Sequence, residues 1–184
     1  MEFLTELWLP IVVSSIVLFI ASAIAWMFMP HHRNDYAKLA NEEKFMSQVR
    51  ELNVPVGRFM FPYCTHQESN NPEMKRKFKE GPSGTITILG NVNMGANMAC
   101  TLVFFLIANA CLAYLFWMVL PGSDTSFLRV FRVAGTAGIL TYTVAAIPND
   151  IWFKRPTWTN VLDGIVYGLI VGAIFAAMWP QQQV

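Results

Sequence analysis

The chain has 184 residues, 54% of them hydrophobic and only 14% charged, with a formal net charge of +1. A soluble domain carries roughly a quarter charged residues. Here the deficit is concentrated in four apolar runs, which points to an integral membrane protein, and the near-neutral balance gives no bulk electrostatic case for nucleic acid.

The N-terminal MEFLTELW is acidic rather than basic, and no small-residue cleavage site follows the first apolar run. That run is therefore expected to stay as a transmembrane helix and not to leave as a signal peptide. It is placed at residues 1–29, with the apolar stretch from Trp8 to Met29 long enough to cross the hydrocarbon core. Trp8 and Trp26 mark its two interfaces. Pro10 falls in the first turn, where its missing N–H costs nothing. Ser14, Ser15 and Ser22 are expected to bond back onto their own helix.

Residues 30–96 are polar and hold most of the charge. They predict a small α+β cap inserted between the first two spans. Asn41 before Glu42 and Glu43 marks a helix start. Phe45, Met46, Val49 and Leu52 then form one apolar face, ended by Pro55 and Gly57. GRFMFPY (57–63) and GTITIL (84–89) have strand character. Between them Asn71-Pro72-Glu73 opens a second short helix that stops at Gly81. Lys75, Arg76, Lys77 and Lys79 decorate this helix, either as a solvated face or as contacts for anionic lipid headgroups.

Further spans are predicted at 97–120, ended by Pro121-Gly122, and at 128–147, ended by Pro148. The short link GSDTS makes these two an antiparallel hairpin. The last span is placed at 161–179, closed by Trp179-Pro180. The fold class is thus an all-α membrane protein, a four-helix transmembrane bundle with a cytoplasmic α+β cap. No internal repeat suggests duplicated halves. Eleven Lys and Arg residues flank the loop side, nine before the second span plus Lys154 and Arg155, against only Arg129 and Arg132 opposite. The long loop is therefore expected in the cytoplasm and both termini outside, in a multi-pass membrane protein. The closing QQQV and the position of Cys64 offer no lipidation signature. Cys64, Cys100 and Cys111 are odd in number, and two lie in predicted spans, so no disulfide framework is expected.

Gly164, Gly168, Gly172 and Ala176 recur every four residues in the last span, a bare ridge along which another backbone can approach closely. Ala134, Ala137, Gly138 and Thr141 form a second small-residue stripe on the third span. The two stripes are expected to pair within the chain, with contact to another subunit as the alternative.

Groups able to do chemistry are few. His31, His32, Cys64 and His66 are acceptable metal ligands, but their spacing matches no established metal pattern, and no catalytic or cofactor-binding residue is assigned. No histidine falls within a span, as a haem held between helices would need. Arg129 and Arg132 are expected to reach the outer interface or to pair with Asp124. Asp163 is expected to open the fourth helix, at the positive end of its dipole or paired with Lys154 or Arg155. Mid-span polar residues are few, Asn109, Thr141, Tyr142 and Thr143, and the Asn109 amide is expected to bond another helix. As an ion path, Asn109, Arg129, Arg132 and Asp163 would be the lining set.

HHRNDYAKL, GPSG, MGANM, FRVAGTAG, IWFKRP and DGIVYGLIVGAIFAAMWP, spread over nearly the whole chain, resemble a family of small bacterial four-helix integral membrane proteins. The resemblance implies a class and a bacterial setting. That family has no assigned activity, so it carries over no catalytic residue. The function expected first is a non-enzymatic accessory or scaffolding subunit of a larger inner-membrane complex, respiratory or photosynthetic. Bound lipid is expected, along with pigment or haem contacts from a partner subunit. The alternatives are a homo-oligomeric channel or small-solute transporter, and a metal-dependent membrane enzyme.

Overall fold

The computed structural model describes residues 2–120 and 125–180. Four segments are long and apolar enough to cross a membrane: Glu2–Met27, Met94–Val119, Phe127–Phe153 and Thr157–Ala177. The chain divides into a helical unit, residues 1–36 with 94–184, and a smaller unit, residues 37–93. The helical unit thus takes in residues 30–36 and 94–96, which the sequence alone assigns to the cap.

The smaller unit contains α2 (Glu42–Glu51), β1 (Gly57–Phe61), α3 (Pro72–Glu80) and β2 (Gly84–Ile88). The strands pair antiparallel, with Gly57 opposite Ile88 and Phe61 opposite Gly84. Asn71 caps α3 by accepting a hydrogen bond from the Glu73 amide, and Pro72 follows where its lost donor has no cost. Asn41 makes no such side-chain bond to α2, so that helix starts without its expected cap. On α3, Arg76 pairs with Glu80 and Lys77 with Glu73, each at 3.0 Å and four residues apart. These exposed pairs occupy half of the basic cluster expected to meet lipid.

In the helical unit, α1 (Glu2–Met27) and α4 (Met94–Val119) are apolar on every side. Leu7, Ile11 and Leu18 of α1 are buried, and the opposite stripe of Trp8, Val12, Ile16, Ile20 and Ile24 is exposed. An exposed apolar stripe of this length is unfavourable in water and favourable in lipid. Ser15 and Ser22 bond back to the carbonyls of Ile11 and Phe19 at 2.7 and 2.8 Å, and Ser14 bonds that of Pro10. Asn109 of α4 is fully buried; its amide donates to Ser15 Oγ (3.1 Å) and its oxygen accepts from Tyr142 Oη (3.3 Å). One side chain thereby ties three helices together and leaves no orphaned polar atom of its own.

The third span is not one continuous α-helix. α5 (Phe127–Ile139) passes into a π-helical turn (Leu140–Val144), and α6 (Ile147–Phe153) continues the span beyond its expected end at 147. Pro148 does not stop it, because it falls in the first turn of α6. α7 (Thr157–Ala177) starts four residues earlier than expected. Arg129 and Arg132 are exposed, while Asp124, their expected partner, Pro121-Gly122 and the C-terminal QQQV lie outside the described residues.

α7 packs most closely on α5. A methyl group added at Gly138 would lie 2.8 Å from Gly168 Cα, and one at Gly172 would meet Gly135 N, Gly135 Cα and Phe131 O, each at 3.0 Å. The α5 contact stripe differs from the expected one. Ala134, Gly135 and Gly138 are buried and Ala137 is half-buried, but Thr141 is exposed and bonds the Ala137 carbonyl of its own helix. The π turn inserts one residue per turn, so Thr143 rather than Thr141 meets Gly164.

Gly138→Ala and Gly172→Ala each place a methyl against backbone, which cannot rotate away. Each should destabilise the bundle by about 1–3 kcal/mol. Gly135→Ala meets nothing nearer than 3.7 Å, and the better helix propensity of Ala should leave it neutral or slightly stabilising. Thermal unfolding in mild detergent checks this order; equal effects at the three positions would show that the close approach is not a constraint.

Candidate functional site

After α1 the chain turns at Met29, and Pro30 starts a 3-10 helix over Pro30–Asn34. A 3-10 helix has three residues per turn, so side chains at i and i+3 eclipse. Asp35 accordingly lies beside His32, with its Oδ2 2.6 Å from His32 Nδ1. The other ring nitrogen, Nε2, is 2.9 Å from Asp163 Oδ2. His31 Nε2 reaches the second oxygen of the same carboxylate at 2.8 Å. Trp26, in the last turns of α1, stacks on the His32 ring at 4.0 Å with an interplanar angle of 10°, which fixes the imidazole plane.

Asp163 is in the second turn of α7, not at its start. Thr159, Asp163 and Tyr167 are spaced by four and share one face. Thr159 Oγ1 approaches Asp35 Oδ2 at 3.5 Å, and Tyr167 Oη donates to Asp163 Oδ2 at 3.4 Å. Thus the expected pairing of Asp163 with Lys154, Arg155 or the helix dipole gives way to two imidazoles and a phenol. The reason is distance along the helix: starting at Thr157, α7 carries Asp163 past the first turn, where the dipole effect fades.

His32 and Asp163 are 7% and 8% exposed. Buried charges are costly unless paired and hydrogen-bonded, and each group here supplies what the other needs. Burial alone would lower the His32 pKa. The hydrogen bonds that His32 donates to Asp35 and Asp163, with the charges of both carboxylates, outweigh it and hold the pKa above its ordinary value.

Among the described residues, His31, His32 and Asp163 are the group whose ligand atoms converge, all within 4.8 Å of one another. Tetrahedral bonds of about 2.1 Å set ligand atoms about 3.4 Å apart, so the histidine–carboxylate contacts of 2.8 and 2.9 Å would open to admit an ion. The Asp35–His32 bond supplies the outer carboxylate that typically orients a metal-bound imidazole. Of the sequence-derived metal candidates, His31 and His32 belong to this group. Cys64 and His66 belong to the separate unit 37–93 and are not in it. Cys64, Cys100 and Cys111 are all free thiols.

Beside the cluster a cleft of about 230 Å³ is lined by Trp26, Tyr142, Asp150, Arg155, Asn160, Asp163 and Tyr167, among others. Asp150 is buried and accepts from Asn160 Nδ2 at 2.9 Å. Asp35, Thr159 and Tyr167 were not singled out from the sequence, and Trp26 was read only as an interface marker. The spacing His32-x-x-Asp35 and the four-residue series Thr159, Asp163, Tyr167 are the signals that could have found them. Comparison with protein-family models, curated proteins and solved structures finds no match.

A histidine with a raised native pKa contributes stability that is fully present below its unfolded value, about 6.5. That contribution is lost as pH rises through the native value. In chelator-treated protein, wild type should therefore exceed His32→Gln in melting temperature most below about pH 6.5. The gap should narrow as pH rises through the raised native value. A gap that widens with pH would mean that His32 is held neutral.

Proposed function

We propose that this chain is a multi-pass protein of a bacterial inner membrane that holds a divalent transition metal through His31, His32 and Asp163. One observation carries the reading: two imidazole nitrogens and a carboxylate lie within 4.8 Å of one another, and the ring of one imidazole is already oriented by Asp35 and Trp26. Two histidines with one carboxylate suit zinc or ferrous iron, and three protein ligands leave positions open for a further group. The metal would act as a Lewis acid there. Asp163 and both histidines would bind it, Asp35 would fix the His32 tautomer, and Tyr167 would hydrogen-bond the ligating carboxylate.

Membrane insertion is supported by four helices of spanning length and by exposed apolar stripes such as Trp8 to Ile24. The orientation, with both termini periplasmic, rests on the excess of Lys and Arg on the loop side. In that orientation the metal group lies at the cytoplasmic end of the bundle, where α1 ends and α7 begins. The channel reading loses support because Asn109 is committed to Ser15 and Tyr142, and Asp163 to the two histidines.

The accessory-subunit reading is compatible with a metal, and the outward Trp, Phe and Leu side chains favour it, since they would meet lipid or a larger partner. Native mass spectrometry after gentle extraction tests it: larger subunits at fixed stoichiometry support it, and a lone chain counts against it.

Metal analysis of the purified protein should find about one zinc or iron per chain. His32→Ala and Asp163→Ala should lose it, while Cys64→Ser and His66→Ala should keep it. Asp35→Asn should weaken binding by about 10- to 100-fold through the outer bond alone. Equal metal content in wild type and Asp163→Ala would reject the site and leave the cluster as an ion-pair clasp between α1 and α7.

A further inference from the structure

The cleft has a charge and a surface of its own. Its volume of about 230 Å³ is below the roughly 300–1,000 Å³ of sites for drug-sized ligands, so only a small group fits. Two carboxylates, those of Asp150 and Asp163, lie in the lining against one guanidinium, that of Arg155. Asp150 is 3% and Asp163 8% exposed, whereas Arg155 is exposed to solvent. Water screens an exposed charge far more than a buried one. The interior of the cleft is therefore negative.

The two acids are not equivalent. Asp163 is engaged by His31, His32 and Tyr167. Asp150 accepts from the neutral amide of Asn160, Nδ2 to Oδ2 at 2.9 Å, and among the described residues no Lys, Arg or His side chain pairs with it. A buried carboxylate is ordinarily matched by a cation. The rest of the lining suits an organic cation better than a metal ion. Trp26, Tyr142 and Tyr167 are aromatic, and aromatic rings attract ammonium groups through their quadrupole. The rings of Tyr142 and Tyr167 stand edge to face, with centroids 6.1 Å apart and an interplanar angle of 85°. Their hydroxyls donate to Asn109 and Asp163, so neither is spent on Asp150.

We propose that the cleft binds a small organic ammonium group, with Asp150 as its counter-ion and Trp26, Tyr142 and Tyr167 as its apolar walls. The site needs neither His31 nor His32 and is independent of the metal. An ammonium N–H donates to the Asp150 carboxylate, a charge-assisted bond of the stronger kind. The group is supplied by a soluble amine or by an ethanolamine lipid headgroup.

The test uses the full chain in maltoside detergent, treated with chelator and kept at about 10 mM salt, where charges act over roughly 30 Å. Ethylammonium chloride is titrated while tryptophan fluorescence is followed, with ethanol and sodium chloride as the uncharged and inorganic controls. Wild type should show a saturable change with ethylammonium alone. Asp150→Asn can still accept from Asn160 and should need about 10- to 100-fold more ethylammonium, the loss expected for one charge-assisted hydrogen bond. Arg155→Gln removes the opposing positive charge and should bind about 2- to 5-fold tighter. Repeating the titration in phosphatidylglycerol nanodiscs with and without phosphatidylethanolamine separates the sources. Weaker ethylammonium binding beside phosphatidylethanolamine assigns the lipid headgroup, an unchanged curve assigns a soluble amine, and either supports the site. An equal response to sodium, identical titrations of wild type and Asp150→Asn, or weaker binding in Arg155→Gln overturns it. If Asp150→Asn does not fold, only tighter binding in Arg155→Gln supports the site. None of these outcomes bears on the metal, whose content is measured separately.

Discussion

The contact between α5 and α7 fixes the rest of the helical unit, because it sets the rotation of α7 about its own axis. Glycine at 164, 168 and 172 lets the two backbones meet along one line. Side chains one residue earlier in each turn, Asp163 and Tyr167 among them, then face about 100° away, toward the end of α1. If α7 were rotated by one residue, the carboxylate would leave the histidines and a glycine would face them. Packing and site are thus two readings of a single helical phase, and a buried carboxylate is tolerable there only because that phase delivers two imidazoles and a phenol to it.

Polar groups inside the unit follow the same economy. Asn109, Ser15 and Tyr142 satisfy one another across three helices, and Ser14 and Ser22 bond their own carbonyls. The outer faces carry little of this chemistry, and the exposed Thr141 hydroxyl is turned back onto the Ala137 carbonyl of its own helix. Thr143 is the exception, a buried hydroxyl left open within the π turn. Departures from regular helix are often found near functional sites, and this one borders the cleft.

Much of this was legible in the sequence where the signal was periodic. Four apolar runs gave four helices of spanning length, and the glycine spacing in the last run identified the face that meets α5. Asn71-Pro72 announced α3 by its cap chemistry. The site was less legible because its members lie 132 residues apart, and nothing local in the sequence links His31 to Asp163. Cys64 and His66 were paired with the histidines only because they are nearby in the chain, and proximity in sequence says little across a unit boundary. The start of α7 was placed too late because Thr157-Trp158-Thr159-Asn160 is not strongly apolar, and that error hid the four-residue series of Thr159, Asp163 and Tyr167.

The π turn acts as a phase shifter in the third span. Upstream of it, the register of α5 is dictated by its glycines against α7. Downstream, α6 presents Asp150 to the cleft and leads into the turn that holds Arg155. One extra residue within Leu140–Val144 sets the angular offset between these two halves. A chain shortened by one residue there could keep its α5 contact or its cleft geometry, but not both. The length of this segment is therefore under tighter geometric control than the identity of its side chains.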